Sequence, residues 1–161
     1  MPEIIRVGMG EYAIACAPAQ LSALGLGSCV CVCFYDASLK IGALVHVMLP
    51  DSKGNRDKTH LTKFANTAIP YILNELELKG CARERLVVKI SGGARMFQFT
   101  SSSSQISIGD RNVSAVEKAL LAVGLVPAAR ETGGNYGRSV TLELETGELK
   151  LRTLHVELLK I

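Results

Sequence analysis

The sequence predicts a mixed fold, α/β in the α+β sense, and three observations predict it. Residues 29–35 and 41–49 are apolar runs separated by the turn residues Asp36-Ala37-Ser38-Leu39, which is the signature of a β-hairpin. Residues 64–76 and 113–123 carry apolar side chains at helical spacing. Val140, Leu142 and Leu144 alternate with polar residues, and Leu149, Leu151, Leu154, Val156 and Leu158 follow a turn at Thr146-Gly147, which suggests a final strand pair.

In chain order, Ile4-Ile5-Arg6-Val7 reads as a short strand and Gly8-Met9-Gly10 as a turn. The glycines imitate a dinucleotide-binding fingerprint, but Pro18 arrives too soon for the helix that such a motif must open, and no acidic residue ends a second strand at the required distance. After the hairpin, residues 50–59 are polar and aperiodic, as expected of an exposed loop. The first helix contains Phe64, Ala65, Ala68, Ile69, Ile72, Leu73 and Leu76; Pro70 either kinks it or starts its second part, and Gly80 is its stop signal. Leu86 to Ile90 is a buried strand. Residues 101–104, four serines, read as a mobile loop. The second helix is expected to be capped by Asn112 and ended by Gly124.

Composition narrows the function. At 161 residues and 48% hydrophobic content, one domain spanning residues 1–161 is expected, with a continuous core. The 18 basic and 15 acidic residues are dispersed without a run of like charge, which argues against nucleic acid. Residues 12–35 are uncharged and long enough to span a bilayer, but Pro18, Gln20, Ser22, Gly25, Gly27 and Ser28 interrupt them and the second half alternates like a strand, so no membrane insertion is expected. The first residues lack a secretory pattern, and five cysteines are an odd number without a disulfide framework. A cytoplasmic location follows as the expectation.

Cys29, Cys31 and Cys33 cannot converge on one metal ion, because residues two apart on a strand have Cα atoms about 7 Å apart; no metal site is expected. Cys31 and Cys33 read as packing residues. Cys29 follows a glycine-flanked turn, where a side chain stands at a sheet end beside free backbone N–H groups; core packing is the alternative. A hairpin turn centred between Ala37 and Ser38 makes Tyr35 face Lys40 and Cys29 face His46, which puts a thiol and an imidazole on one face of the sheet. A lone histidine among Leu44, Val45, Val47 and Met48 is otherwise a structural residue. Paired, imidazole takes the thiol proton and holds an ion pair that lowers the thiol pKa. The Gly27, Ser28 and Cys29 amides are then candidate oxyanion donors. His60 and His155 are tied to no cysteine and read as surface or structural.

Five motifs occur in order: Gly25-Leu26-Gly27-Ser28-Cys29-Val30, residues 43–50 around His46, Ser91-Gly92-Gly93-Ala94-Arg95-Met96-Phe97, Ile108-Gly109-Asp110-Arg111-Asn112, and residues 132–139. Together they resemble the CheD family of chemoreceptor glutamine deamidases along nearly the whole chain. The resemblance implies a β-sandwich-like core flanked by helices, similar to toxin-type glutamine deamidases, and catalytic roles for Cys29 and His46. It also exposes a departure. The family's third catalytic residue is typically a threonine six positions before the cysteine, and here that position is Ala23, beside Ser22. Either a backbone carbonyl, or else Ser22, orients His46, or the pair is less well held and activity is weaker. Arg95, Asn112, Asn135 and Arg138 are candidate substrate-binding residues; satisfying loop carbonyls is their alternative role.

The implied reaction is attack of Cys29 on a glutaminyl amide, loss of ammonia, and hydrolysis of the thioester to glutamate, with no cofactor. The implied partners are the cytoplasmic helices of chemoreceptors and a CheC-type phosphatase. Two alternatives remain: a non-catalytic adaptor that binds the same partners, and a cysteine hydrolase acting on another acyl group, such as a receptor methyl ester.

Overall fold

The strand at Val30–Asp36 is buried at every position, and its two faces look into different cores. Val30, Val32 and Phe34 pack with helical residues, whereas Cys31, Cys33 and Tyr35 pack with strands of a second sheet. This alternation, forced by the period of two along a strand, makes the protein three layers deep. The structure is a computed structural model describing residues 2–54, 59–96, 107–153 and 159–161. Its elements are β1 (Ile4–Arg6), β2 (Tyr12–Cys16), β3 (Gln20–Leu26), β4 (Val30–Asp36), β5 (Ile41–Val47), α1 (Ala65–Leu78), β6 (Leu86–Gly92), α2 (Ile108–Ala122), β7 (Ala129–Thr132), β8 (Arg138–Glu143), β9 (Leu149–Arg152) and β10 (Leu159–Lys160).

One five-stranded sheet has the order β2-β5-β4-β6-β7 and the other β1-β3-β8-β9-β10. Both are mixed, because β1 pairs with β3 and β6 with β7 in parallel while the remaining pairs are antiparallel. This is the expected α+β fold with a sandwich-like core, with one difference: α1 and α2 lie together on the first sheet, through Ala68, Ile69, Ile72, Leu76, Val116 and Leu120. Each of the larger aliphatic side chains among these, Ile69, Ile72, Leu76, Val116 and Leu120, contributes roughly 1.5–3 kcal/mol when removed from water. Between the sheets lies a second core with Leu21, Ala23, Leu26, Leu44, Val140, Leu142 and Leu151.

Both helices end as their glycines predict. Gly80 and Gly124 take positive φ, with Cys81 N donating to Leu76 O and Leu125 N to Leu120 O, the backbone closure of a Schellman ending. α1 runs through Pro70, which lies on the solvent side, where the carbonyl it leaves unpaired can meet water. The start of α2 corrects the expected Asn112 cap. Ser107 is the N-cap, its Oγ accepting from Asp110 N at 3.1 Å, and Asn112 lies inside the helix on the buried line with Val116 and Leu120. β2 and β3 were not foreseen. β2 is a half-exposed edge strand of Tyr-Ala-Ile-Ala-Cys, and β3 contains Gly25 at φ 63°, with its pairing to β8 broken between Ala23 and Leu26. The expectations for residues 101–104 and for Leu154, His155, Val156 and Leu158 fall outside the described residues.

Candidate active site

The hairpin register differs from the expected one by two residues. Asp36 pairs with Ile41, and its Oδ1 accepts both Ser38 N at 3.0 Å and Ser38 Oγ at 2.7 Å. That carboxylate turn, with Lys40 at φ 51°, makes the loop four residues long, 37–40, and moves its centre toward the β5 end. Cys31, not Cys29, therefore stands opposite His46. A shift of two keeps every side chain on its face. Cys29, just before β4, packs against the same inter-sheet core as Cys31 and Cys33, diagonal to His46, where cross-strand Cα spacing is about 7–8 Å. Exposure separates the thiols: Cys31 and Cys33 are buried with their sulfurs 3.6 Å apart, whereas Cys29 is partly exposed.

His46 is 3% exposed, and backbone holds it on three sides. Its N–H donates to Glu11 O at 3.0 Å, its carbonyl accepts from Gly10 N at 2.9 Å, and its Nδ1 lies 3.3 Å from Val7 O. A carbonyl can only accept, so Nδ1 carries the proton and Nε2 the lone pair. Nε2 is buried and has no hydrogen-bond partner among the described residues. Burial pushes the imidazole below its usual pKa, against the opposing pull of the Val7 carbonyl and the Glu11 carboxylate. Burial likewise pushes the Cys29 thiol up, partly offset by its own backbone N–H. Both shifts act against the charged forms that the expected ion pair requires.

Val7 O also accounts for Ala23. Ala23 faces the inter-sheet core at 1% exposure, and Val7, at the end of β1, is tied alongside by Val7 N donating to Ser22 O at 2.7 Å. Ser22, one residue away, points to the opposite face of its sheet and donates its Oγ to Val140 O at 3.0 Å, so it cannot reach the imidazole. No side-chain pattern could have revealed Val7, because its contribution is a backbone oxygen.

The segment carrying Cys29 is fastened by its carbonyls. Gly27 O accepts from Ala94 N at 2.9 Å, Ser28 O from Asn112 Nδ2 at 2.9 Å, and Cys29 O from Gly93 N at 2.8 Å. Gly92, at φ 114°, permits this approach, since a Cβ there would stand 2.3 Å from Cys29 O. No hydrogen bond from the Gly27 or Ser28 N–H to another backbone group is seen among the described residues, while the Cys29 N–H acts on its own thiol.

The other candidates separate by burial. Asn112 is wholly buried and its Nδ2 also donates to Met48 O at 2.9 Å, so it ties the cysteine segment to the end of the histidine strand. Arg138 is 1% exposed, paired with Glu131, bonded to Gly133 O at 2.6 Å and stacked on Tyr136. Both are buried and bond protein groups through these atoms, while Asn112 Oδ1 and one terminal nitrogen of Arg138 have no hydrogen-bond partner among the described residues. Arg95 is exposed and ion-paired with Asp110 at 2.7 Å, and Asn135 is exposed in the 132–137 turn. His60 is exposed in the connection before α1.

A partly exposed cysteine at a sheet end and, on the same sheet face, a carbonyl-held imidazole whose second nitrogen has no partner among the described residues are the kinds of group that thiol-dependent acyl transfer uses. Comparison with known proteins gives the family. The model of the family described as CheD chemotactic sensory transduction matches residues 48–153. The chain is 48% identical over 146 residues to the chemoreceptor glutamine deamidase CheD of Thermotoga maritima, covering 91% of this chain and 89% of that one. It is 41% identical over 154 residues to the probable chemoreceptor glutamine deamidase CheD of Syntrophomonas wolfei, covering 96% of each. A similar relative from Moorella thermoacetica is 42% identical over 156 residues, 95% and 92% of the two chains. The chain belongs to the CheD family.

Proposed function

We propose that this protein deamidates glutamine side chains of chemoreceptors, with Cys29 as nucleophile and His46 as base. The observation that carries the reading is His46 itself: Nδ1 bound to Val7 O fixes the tautomer whose free Nε2 lies on the same sheet face as the partly exposed Cys29. Nε2 takes the thiol proton as sulfur bonds to the glutaminyl carbonyl carbon. The oxyanion forms against the N–H groups of residues 27–29. The imidazolium passes its proton to the amide nitrogen, the C–N bond breaks, and ammonia leaves a thioester. Water then loses a proton to Nε2 and attacks the thioester; the thiolate departs and takes that proton, and glutamate remains.

The substrate is assigned from the relatives, which are named for chemoreceptor deamidation. Receptor glutamines on cytoplasmic helices would require a cytoplasmic enzyme, and no described helix is long and apolar enough to cross a membrane. A CheC-type phosphatase is the second proposed partner, on the family resemblance. The adaptor reading draws on Ala23, where the family places a threonine. One experiment separates the two: incubate a receptor cytoplasmic fragment with the protein and measure glutamine-to-glutamate conversion by mass spectrometry. Conversion that disappears in Cys29→Ala supports the enzyme; binding without conversion supports the adaptor.

A further inference from the structure

We infer that Glu11 is a positioning residue for His46, acting through the single peptide bond that joins Val7 to Gly8. The two ends of that peptide are used in opposite directions. Its carbonyl, Val7 O, accepts from His46 Nδ1, and its N–H, on Gly8, donates to Glu11 Oε2 at 2.9 Å. An amide is polarised as a unit, so a carboxylate on the N–H side increases negative charge on the oxygen. Such coupling strengthens a hydrogen bond by roughly 10–30%. The carboxylate thus supports the imidazole as an aspartate does in a triad, with a peptide unit inserted between them.

The surrounding chain holds this relay in place. Glu11 O accepts His46 N at 3.0 Å, Gly10 N donates to His46 O at 2.9 Å, and Thr62 Oγ donates to Gly10 O at 2.6 Å. Gly8 leaves room for the carboxylate, since a Cβ there would come within 3.1 Å of Glu11 Oε2. The other titratable groups near His46 are the Cys29 and Cys31 thiols from the β4 side and Lys63, whose stem passes Gly10. Tyr12 belongs to the opposite face of the sheet, pairing with Val45. Glu11 is therefore the one carboxylate among the described residues with a bonded path to the imidazole. Its charge also favours the imidazolium that each proton transfer creates.

The inference rests on His46 being the base, and its test has a readout independent of turnover. Full-length wild type, Glu11→Gln and Glu11→Ala are labelled at histidine and titrated by NMR, with His46 assigned using His60→Gln and His155→Gln. Glu11→Gln retains an acceptor for Gly8 N and loses the charge; the His46 pKa is expected to fall by roughly 0.3–0.7 unit. The acid limb of kcat/KM moves down with it, and kcat falls about threefold with KM unchanged. Glu11→Ala loses more, and Glu11→Asp restores part. An unmoved His46 titration in folded Glu11→Gln, or wild-type kcat in folded Glu11→Ala, overturns the relay. Wild type that converts no receptor glutamine defeats the functional reading, while the titration still decides the relay.

Discussion

His46 stands directly across the β4–β5 ladder from Cys31, yet the thiol that solvent can reach is Cys29, one diagonal step nearer the sheet end. Two cysteines thus share the imidazole's face, and burial separates their roles. Cys31→Ala is expected to fold, lose about 1 kcal/mol for the small cavity, and keep deamidation within about threefold of wild type. Cys29→Ala is expected to lose about four orders of magnitude or more with little change in stability, and Cys29→Ala/His46→Ala to lose no more than that, because nucleophile and base act as a unit. Rates on one receptor fragment, with circular dichroism on each variant, check the assignment; loss of turnover in folded Cys31→Ala would move the nucleophile to that thiol.

The pH profile follows from the burial of His46. His46 accepts a proton only when deprotonated, and burial lowers its pKa, so the acid limb of kcat/KM is expected below the ordinary imidazole value of about 6.5. The raised Cys29 thiol adds no rise through neutral pH. Stability shares the sign: below the unfolded histidine pKa the unfolded state binds more protons at this position, so folding weakens as pH falls from about 6.5 toward the folded pKa of His46. Initial rates across pH 4.5–9, a range that spans about two units on either side of that value, check the first statement. An acid limb centred above 7 contradicts it.

The hairpin, both helix endings and the thiol–imidazole face were legible because each depends on local chemistry: alternating apolar residues, Gly80 and Gly124 at positive φ, and a strand period of two. The register was legible only to parity. Asp36 closes the turn through its side chain, and that choice between two loops of similar length depends on a carboxylate also held by Arg85, 49 residues away in sequence. Asn112 was misread as a cap because Asn fits that position locally; only the distant carbonyls of Ser28 and Met48 show why a helix interior holds it. The support for His46 was invisible because it comes from the Val7–Gly8 peptide.

Asn112 gives the third prediction. Asn112→Leu leaves the buried carbonyls of Ser28 and Met48 without their donor, at about 1–3 kcal/mol for each group. Thermal unfolding is expected roughly 4–24 °C lower, on a scale of about 2–4 °C per kcal/mol for a chain of this size. Turnover at a temperature where the variant is folded is expected to fall about tenfold, since Ser28 precedes the proposed nucleophile. Unchanged melting would show that these carbonyls find other donors.

Ala23→Thr, which restores the residue typical of the family, is expected not to rescue or enhance the activity. The imidazole Nδ1 already donates to Val7 O, and one N–H has one proton to give. A threonine hydroxyl can take that proton only by displacing the carbonyl, and Val7 is tethered by its own N–H to Ser22 O. The position is also full. Ala23 is 1% exposed in the inter-sheet core, so two added heavy atoms must displace neighbours such as Val140, at about 1–3 kcal/mol. Turnover within threefold of wild type and a lower melting temperature are the expected pair of results. A tenfold gain in kcat, with a shifted Nδ1–H resonance of His46, would show that the hydroxyl captures the imidazole and that Val7 O serves it less well.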